Sequence, residues 1–336
     1  MSQRSCAVSQ STRAAKMPSD TTPRVSLGFA RLDVLVVLAC ACCAASLVIT
    51  SASHSRMIDG TTLDRQQLTA IYAGMLVAAG QTSGHRLPTP GLVNRLAVNG
   101  QQIPGSGMED VSRNNSRYLW SHCIMDGITT PAHLIGPTEV SPVVVPDSNY
   151  DFTKYNPAAD VFWDDGFTTQ ISGSGGQTCN TSYANLAVIG LRKRFVWWRP
   201  LSPLPGMHAI LGTRAWQITS EASPMAGDAY RKSPTLLLHG PPDRWFGNIV
   251  YIDGHAGLES DSLGESTFTC GNTEVRQDLL HFQEWGNDGV GCYSIVGAGA
   301  GPGTPNGATC GDTWLGIFPN NGTATAMIPS YDALLP

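Results

Sequence analysis

The sequence predicts an α+β protein: a long N-terminal helix, first apolar and then amphipathic, followed by a β-rich, loop-rich head. Three observations predict it. A charge-free run spans Val34 to Ile49, an apolar stripe at helical spacing spans Thr61 to Ala79, and short strand-like runs lie among abundant Gly and Pro beyond. The 336 residues include 36 glycines and 22 prolines, and only 14% are charged. Without collagen's period, that usage describes a turn-rich globular body. It excludes a coiled-coil rod, a disordered acidic tail and a multi-span membrane protein.

The N-terminal region is read from its charges. Residues 1–28 carry Arg4, Arg13, Lys16 and Arg24 against Asp20, whereas from position 50 onward sixteen Lys and Arg face twenty-four Asp and Glu. Basic residues hold a flank in the cytoplasm, so the acidic body is expected to be exported. An acidic exported body argues against nucleic acid as a partner, because phosphate binding needs clustered Lys and Arg. The nearest cluster, Arg192-Lys193-Arg194, runs into Phe195-Val196-Trp197-Trp198 and reads as a strand edge. The charge-free run is somewhat shorter than the ~20 residues of a spanning helix. Two ordinary readings are a signal cut near Ala44-Ala45-Ser46 and a lipidation box at Val37-Leu38-Ala39-Cys40. In the second, Asp33 stands awkwardly close to the apolar run.

A third reading gives Asp33 a purpose. The segment Gly28-Phe29-Ala30-Arg31-Leu32-Asp33-Val34-Leu35-Val36-Val37-Leu38 resembles the start of type IV prepilins and type II secretion pseudopilins. The resemblance implies cleavage between Gly28 and Phe29 by prepilin peptidase, methylation of Phe29, and retention of the apolar helix. It also implies an acid at the fifth mature position, here Asp33. A carboxylate at the bilayer edge is expensive without a partner. In a filament the partner is the amine of a neighbouring subunit, and the pair sets register. Three features depart from the family: Asp where Glu is usual, Arg31 where a small or apolar residue is usual, and Cys40, Cys42 and Cys43 within the helix. Arg31 is an alternative partner for Asp33 within one chain.

The next helix is expected over 61–79, with Leu68, Ile71, Tyr72, Met75, Leu76 and Ala79 on one face. Thr61 and Asp64 read as a capping box with Asp in place of Glu, and Gly80, Gly84 and Pro88 end the helix. The words Leu63-Asp64-Arg65-Gln66-Gln67-Leu68 and His85-Arg86-Leu87-Pro88-Thr89-Pro90-Gly91 resemble a planctomycete-type group of prepilin-like proteins. That likeness implies a pilin-like plan, with the helix packed on an antiparallel head. The expected organisation is a basic cytoplasmic leader 1–28, a membrane-spanning helix 29–53, an amphipathic helix and linker 54–90, and an exported head 91–336.

Within the head, strands are expected at 235–239, 248–252, 187–198 and 209–216. Segments 100–160 and 286–326, dominated by Gly, Pro, Asn and Ser, read as loops. Asn248–Ile252 runs into the turn signal Asp253-Gly254, then His255 and a returning strand to Glu259. The same group has a histidine followed nine residues later by Asp-Gly. Here thirteen residues separate His239 from Asp253, so the match is partial.

Chemistry in the head is weighed residue by residue. His239, Asp253 and His255 are the trio that an exported hydrolase would use, yet the head has no Gly-x-Ser-x-Gly, His-Glu-x-x-His or Cys-x-x-Cys pattern. No enzyme is expected; Asp253 should bond the turn backbone while His255 stands on the strand. Asp164-Asp165-Gly166 and Asn287-Asp288-Gly289 offer oxygen ligands for calcium but read first as turns, and no cofactor is expected. Of the head cysteines Cys123, Cys179, Cys270, Cys292 and Cys310, two bridges are expected in an oxidising exterior, with Cys292–Cys310 as the candidate pair. The eight tryptophans read first as core and rim packing, and Trp197-Trp198 and Trp245-Phe246 are the first places to look for a ligand.

The function implied by the resemblance is a structural or minor subunit of a type IV pilus or type II secretion-like system. Its partners would be prepilin peptidase and other pilin-like subunits. It would sit as a single pass in the inner membrane, with its head in the periplasm or outside the cell. The alternative is a membrane-anchored binding module that recognises carbohydrate or an envelope component through its tryptophans.

Overall fold

The computed structural model of the protein describes residues 58–82, 84–93, 96–98, 101–103, 107–154, 163–171, 178–190, 192, 208–220, 222–270, 274–282, 313–319, 321–323 and 326–336. All of them belong to one compact unit, Ser53–Pro336. The architecture is α+β, with helices packed against antiparallel strands. The expected leader 1–28 and membrane helix 29–53, with Gly28, Phe29 and Asp33, lie outside the described residues, as do Cys292 and Cys310.

Helix α1 covers 58–81, longer at both ends than the apolar stripe required. Leu68, Ile71, Tyr72, Met75 and Ala79 are buried, whereas Leu63, Gln66, Ala70, Ala73 and Val77 face out. Burying Leu68, Ile71 and Met75 contributes about 1.5–3 kcal/mol apiece before entropy is counted. Because the helix is already running at Ile58, Thr61 and Asp64 cannot form its cap. Both are interior, buried positions, and the capping-box expectation is corrected. The chain leaves α1 through Thr82, whose N–H and hydroxyl both bond the Ala79 carbonyl, and through His85 in the left-handed region at φ 47°.

A short hairpin follows, β1 (Leu96–Val98) with β2 (Gln101–Ile103). Helix α2 (Ser116–Met125) then lies where a loop was expected. The side chain of Asn115 accepts from the Tyr118 N–H and starts it. The main sheet has five strands in the order β6-β5-β4-β3-β9, with every neighbouring pair antiparallel. Their ranges are β3 (Tyr183–Leu186), β4 (Ala209–Thr213), β5 (Gly247–Tyr251), β6 (Ala256–Glu259) and β9 (Leu315–Gly316). Two further hairpins join β7 (Leu263–Cys270) to β8 (Glu274–Leu279) and β10 (Asn321–Thr323) to β11 (Ala326–Met327).

Every residue of β3, β4 and β5 is buried, so the centre of the sheet is covered on both faces. Successive strand side chains point to opposite faces, and full burial therefore needs two covering layers. The residues of α1 and α2 join these strands in one core with Trp216, Tyr230 and Trp245.

The strand expected at 235–239 is instead a 3-10 turn, Pro234–Leu237. Pro234 lacks an N–H and fixes φ, while the Ser233 hydroxyl accepts from the Thr235 N–H, which together start a helical turn. The strand expected from Ala187 lies earlier, at Tyr183–Leu186, and 193–198 fall outside the described residues. The strands at 209–213 and 247–251 agree with the reading of their apolar runs. The expected loop 286–326 contains β9 and β10, because Leu315 pairs with Leu186 and extends the sheet.

Candidate functional site

Asp64 is the centre of a buried polar cluster between α1 and the sheet. It is 2% exposed on a helix face whose other buried residues, apart from Thr61, are apolar. Its Oδ1 accepts from the Tyr183 hydroxyl of β3 at 2.9 Å, and its Oδ2 accepts from Asn248 Nδ2 of β5 at 2.8 Å. Nε2 of His239 lies 3.2 Å from Oδ2 and 3.1 Å from the Thr213 hydroxyl of β4. Nδ1 of His239 lies 3.3 Å from the Thr61 hydroxyl and 3.4 Å from that of Thr138. With a proton on Nε2 the ring donates to Asp64, and a bare Nδ1 then accepts from one of the two threonine hydroxyls.

The rest of the niche is shaped around this carboxylate. Asn248 also donates to the Thr61 carbonyl at 3.0 Å, while its own Oδ1 is buried with no hydrogen-bond partner among the described residues. Gly136 approaches so closely that a Cβ there would stand 2.5 Å from Asp64 Oδ1. Burial, and then the charge of Asp64, push the Tyr183 hydroxyl well above the ordinary phenol range. One turn along α1, Gln67 donates to the carbonyls of His133 and Ile135. Asp64 lay in view of the sequence: it falls three residues after Thr61 and four before Leu68, inside the buried stripe. An acid at such a position signals a buried partner.

The Asp-Gly hairpin is a separate feature. Gly254 takes φ 90°, and its N–H bonds the Tyr251 carbonyl between β5 and β6. Asp253 Oδ1 accepts from the His255 backbone N–H at 3.0 Å and lies 2.6 Å from its Nδ1. The imidazole of His255 stacks on Tyr251 at 4.3 Å. Burial pushes the Asp253 carboxyl up, but the N–H and ring of His255 outweigh it and hold the group below its usual range. The tip therefore does what the sequence reading assigned to Asp253. His239 takes its partners elsewhere, from Thr61, Asp64, Thr138 and Thr213, so the three residues considered for hydrolysis are not one constellation.

A second buried ionic group escaped the sequence reading. Arg214 donates from Nη1 and Nη2 to the two oxygens of Glu139 at 2.5 and 2.8 Å. From Nε and Nη2 it donates to Asp332 at 2.7 and 3.2 Å. The Ser182 hydroxyl adds a 2.6 Å bond to Glu139. Burial alone would raise the Glu139 carboxyl, yet the guanidinium beside it holds the group below its usual range. Two further histidines, His208 and His281, are buried and pushed down to about 4. His281 holds the Thr213 carbonyl and the Ser262 hydroxyl, each at 3.1 Å.

Several expected ligand features have other duties. Trp245 is 0% exposed, stacks edge-on against Trp216 and His281, and donates to the Arg214 carbonyl. It is a core residue, in keeping with the reading of the tryptophans as packing residues; Trp197 and Trp198 lie outside the described residues. Asp164 spends one oxygen on the Gly166 N–H and the other on the Asp151 N–H, both at 2.8 Å, as a turn residue does. Among the described residues no group of three or more His, Cys, Asp or Glu could hold a metal ion. Asn287-Asp288-Gly289 lies outside them. Cys123 and Cys179 are buried free thiols, so of the five head cysteines three remain, enough for one bridge and not the two expected. Among the described residues no helix is long and apolar enough to cross a membrane. No family model matches the chain, and no curated protein or solved structure matches it.

Proposed function

We propose that the chain is a prepilin-like, pseudopilin-type exported protein. In this reading prepilin peptidase cuts between Gly28 and Phe29, and the helix from Phe29 to about Ser53 holds the product in the inner membrane. The head then serves as a structural or minor subunit of a type IV pilus or type II secretion-like filament. The observation that carries the reading is the docking of α1. An amphipathic helix, described from Ile58 onward, buries one face against an antiparallel sheet and leaves its other face outward. That is the plan expected of a helix shared between membrane and head. The segment Gly28–Leu38 and the hairpin Asp253-Gly254-His255 support it independently.

The test is the N-terminal sequence and methylation state of the mature protein. A methylated N-terminal Phe29 is the expected result. A scissile bond at any other position, or an intact N-terminus, overturns the proposal.

A further inference from the structure

We propose that Thr138 is a nucleophile, activated by His239 and Asp64, that accepts acyl groups from small neutral esters. A hydroxyl is activated by an adjacent base, and the base is oriented by a third group. The Asp64 cluster holds all three roles. Asp64 Oδ2 lies 3.2 Å from Nε2 of His239, and Nδ1 on the other side of the ring lies 3.4 Å from the Thr138 hydroxyl. With the Nε2 proton held by the carboxylate, the imidazole presents a bare Nδ1 to that hydroxyl. Nδ1 also meets the Thr61 hydroxyl at 3.3 Å, but Thr61 is buried, as are Asp64 and Thr213. Of the four residues that hold His239, Thr138 alone is half-buried. A buried acid–imidazole pair therefore reaches the surface through one hydroxyl.

The loop that carries Thr138 is anchored on both sides. The Gly136 N–H donates to the Ser182 hydroxyl at 3.0 Å, and Glu139 is held by Arg214. Thr138 Cγ2 packs against Gly60, where a Cβ would stand 2.9 Å away, so the rotamer that brings Oγ1 to His239 has room for its methyl. The Thr138 N–H makes no hydrogen bond among the described residues, which leaves it for an oxyanion. In the proposed step Oγ1 attacks the ester carbonyl while its proton passes to His239 Nδ1. Asp64 stabilises the imidazolium and stays ionised. The bond to the alcohol oxygen breaks, Nδ1 gives its proton to the departing alkoxide, and acyl-Thr138 remains. Water reverses the sequence: its proton passes to Nδ1, the acid leaves, and Oγ1 recovers a proton. Pro137 and Val140 beside the site are exposed and uncharged, and the carboxylates of Asp64 and Glu139 disfavour an anion, so a small neutral ester fits. This inference concerns the body alone and stands whether or not the chain enters a filament.

The experiment is acetylation of the full chain by p-nitrophenyl acetate, with the acetyl groups located by peptide mass spectrometry. Thr138 should be acetylated at least ~10-fold faster than any other threonine, at a rate that rises with pH and then levels off, as reaction through a titrating base does. His239→Gln, which keeps a donor for Asp64, should slow labelling of Thr138 at least ~10-fold with an unchanged circular dichroism spectrum. Thr138→Ser should keep the label at position 138. The absence of selective label on Thr138, or a folded H239Q chain labelled there at the parental rate, overturns the proposal. If H239Q does not fold, the parent's pH profile decides. A rate that climbs in proportion to hydroxide without levelling off overturns the proposal as well.

Discussion

Arg214→Leu is the perturbation whose consequence follows most directly from the structure. The guanidinium is sandwiched between Glu139 and Asp332, and all three side chains are under a tenth exposed. Removing it leaves two buried carboxylates facing a cavity with their counter-charge gone. Breaking a buried pair in this way costs about 3–5 kcal/mol. In a body spanning Ser53–Pro336 that corresponds to a melting temperature about 5–8 °C lower. The loss should also depend on pH. In the parent the folded Glu139 carboxyl titrates below its unfolded value, so its stabilising contribution is present above the unfolded value, about 4.3, and is lost as pH falls through the folded one. In the variant the Ser182 hydroxyl and the Ser141 N–H still oppose the burial of Glu139, but without the guanidinium its folded value rises. The penalty is then largest at neutral pH and shrinks on acidification. Differential scanning calorimetry of both proteins at pH 7 and pH 4 checks this. A gap under about 3 °C at pH 7, or one equal at both pH values, would refute the reasoning.

Further outcomes follow from the same geometry. Gly136→Ala places a methyl against Asp64 Oδ1 at 2.5 Å and should cost about 1–3 kcal/mol in urea unfolding; a neutral result would mean that the niche is looser than described. Met75→Ala should destabilise by about 2–5 kcal/mol, whereas Val77→Ala, on the outward face at 64% exposure, should stay within about 0.5 kcal/mol. Equal effects of the two would contradict one-sided docking of α1. In the proposed filament, Asp33→Ala should leave cleavage at Gly28 intact and abolish incorporation into filaments, scored by immunogold labelling. Normal assembly of that variant would remove the role assigned to Asp33.

The Asp64 and Arg214 groups have a common character. Each gathers a charged residue and its partners from segments distant in the chain: Asn248 lies 184 positions from Asp64, and Asp332 lies 118 from Arg214. Leu335 adds a backbone bond to the Lys232 carbonyl, so the end of the chain is tied to the body at adjoining points.

Local pattern was enough wherever the determining contacts are close in sequence. The 3.6-residue stripe from Leu68 to Ala79, the Asp-Gly turn with its positive-φ glycine, and the apolar runs of β4 and β5 each state their own conformation. The sequence by itself thus determined a helix with one buried face, an antiparallel hairpin and a turn-rich α+β body. Local signals also stand in the sequence for α2, where the Asn115 cap precedes Leu119, Trp120, Cys123 and Ile124 at helical spacing, and for the turn that Ser233-Pro234 starts. Tertiary structure alone decided that Asp64 belongs to the sheet and not to a helix cap. The physical reason is that a buried charge takes its meaning from partners brought by the fold, and no window of sequence contains them.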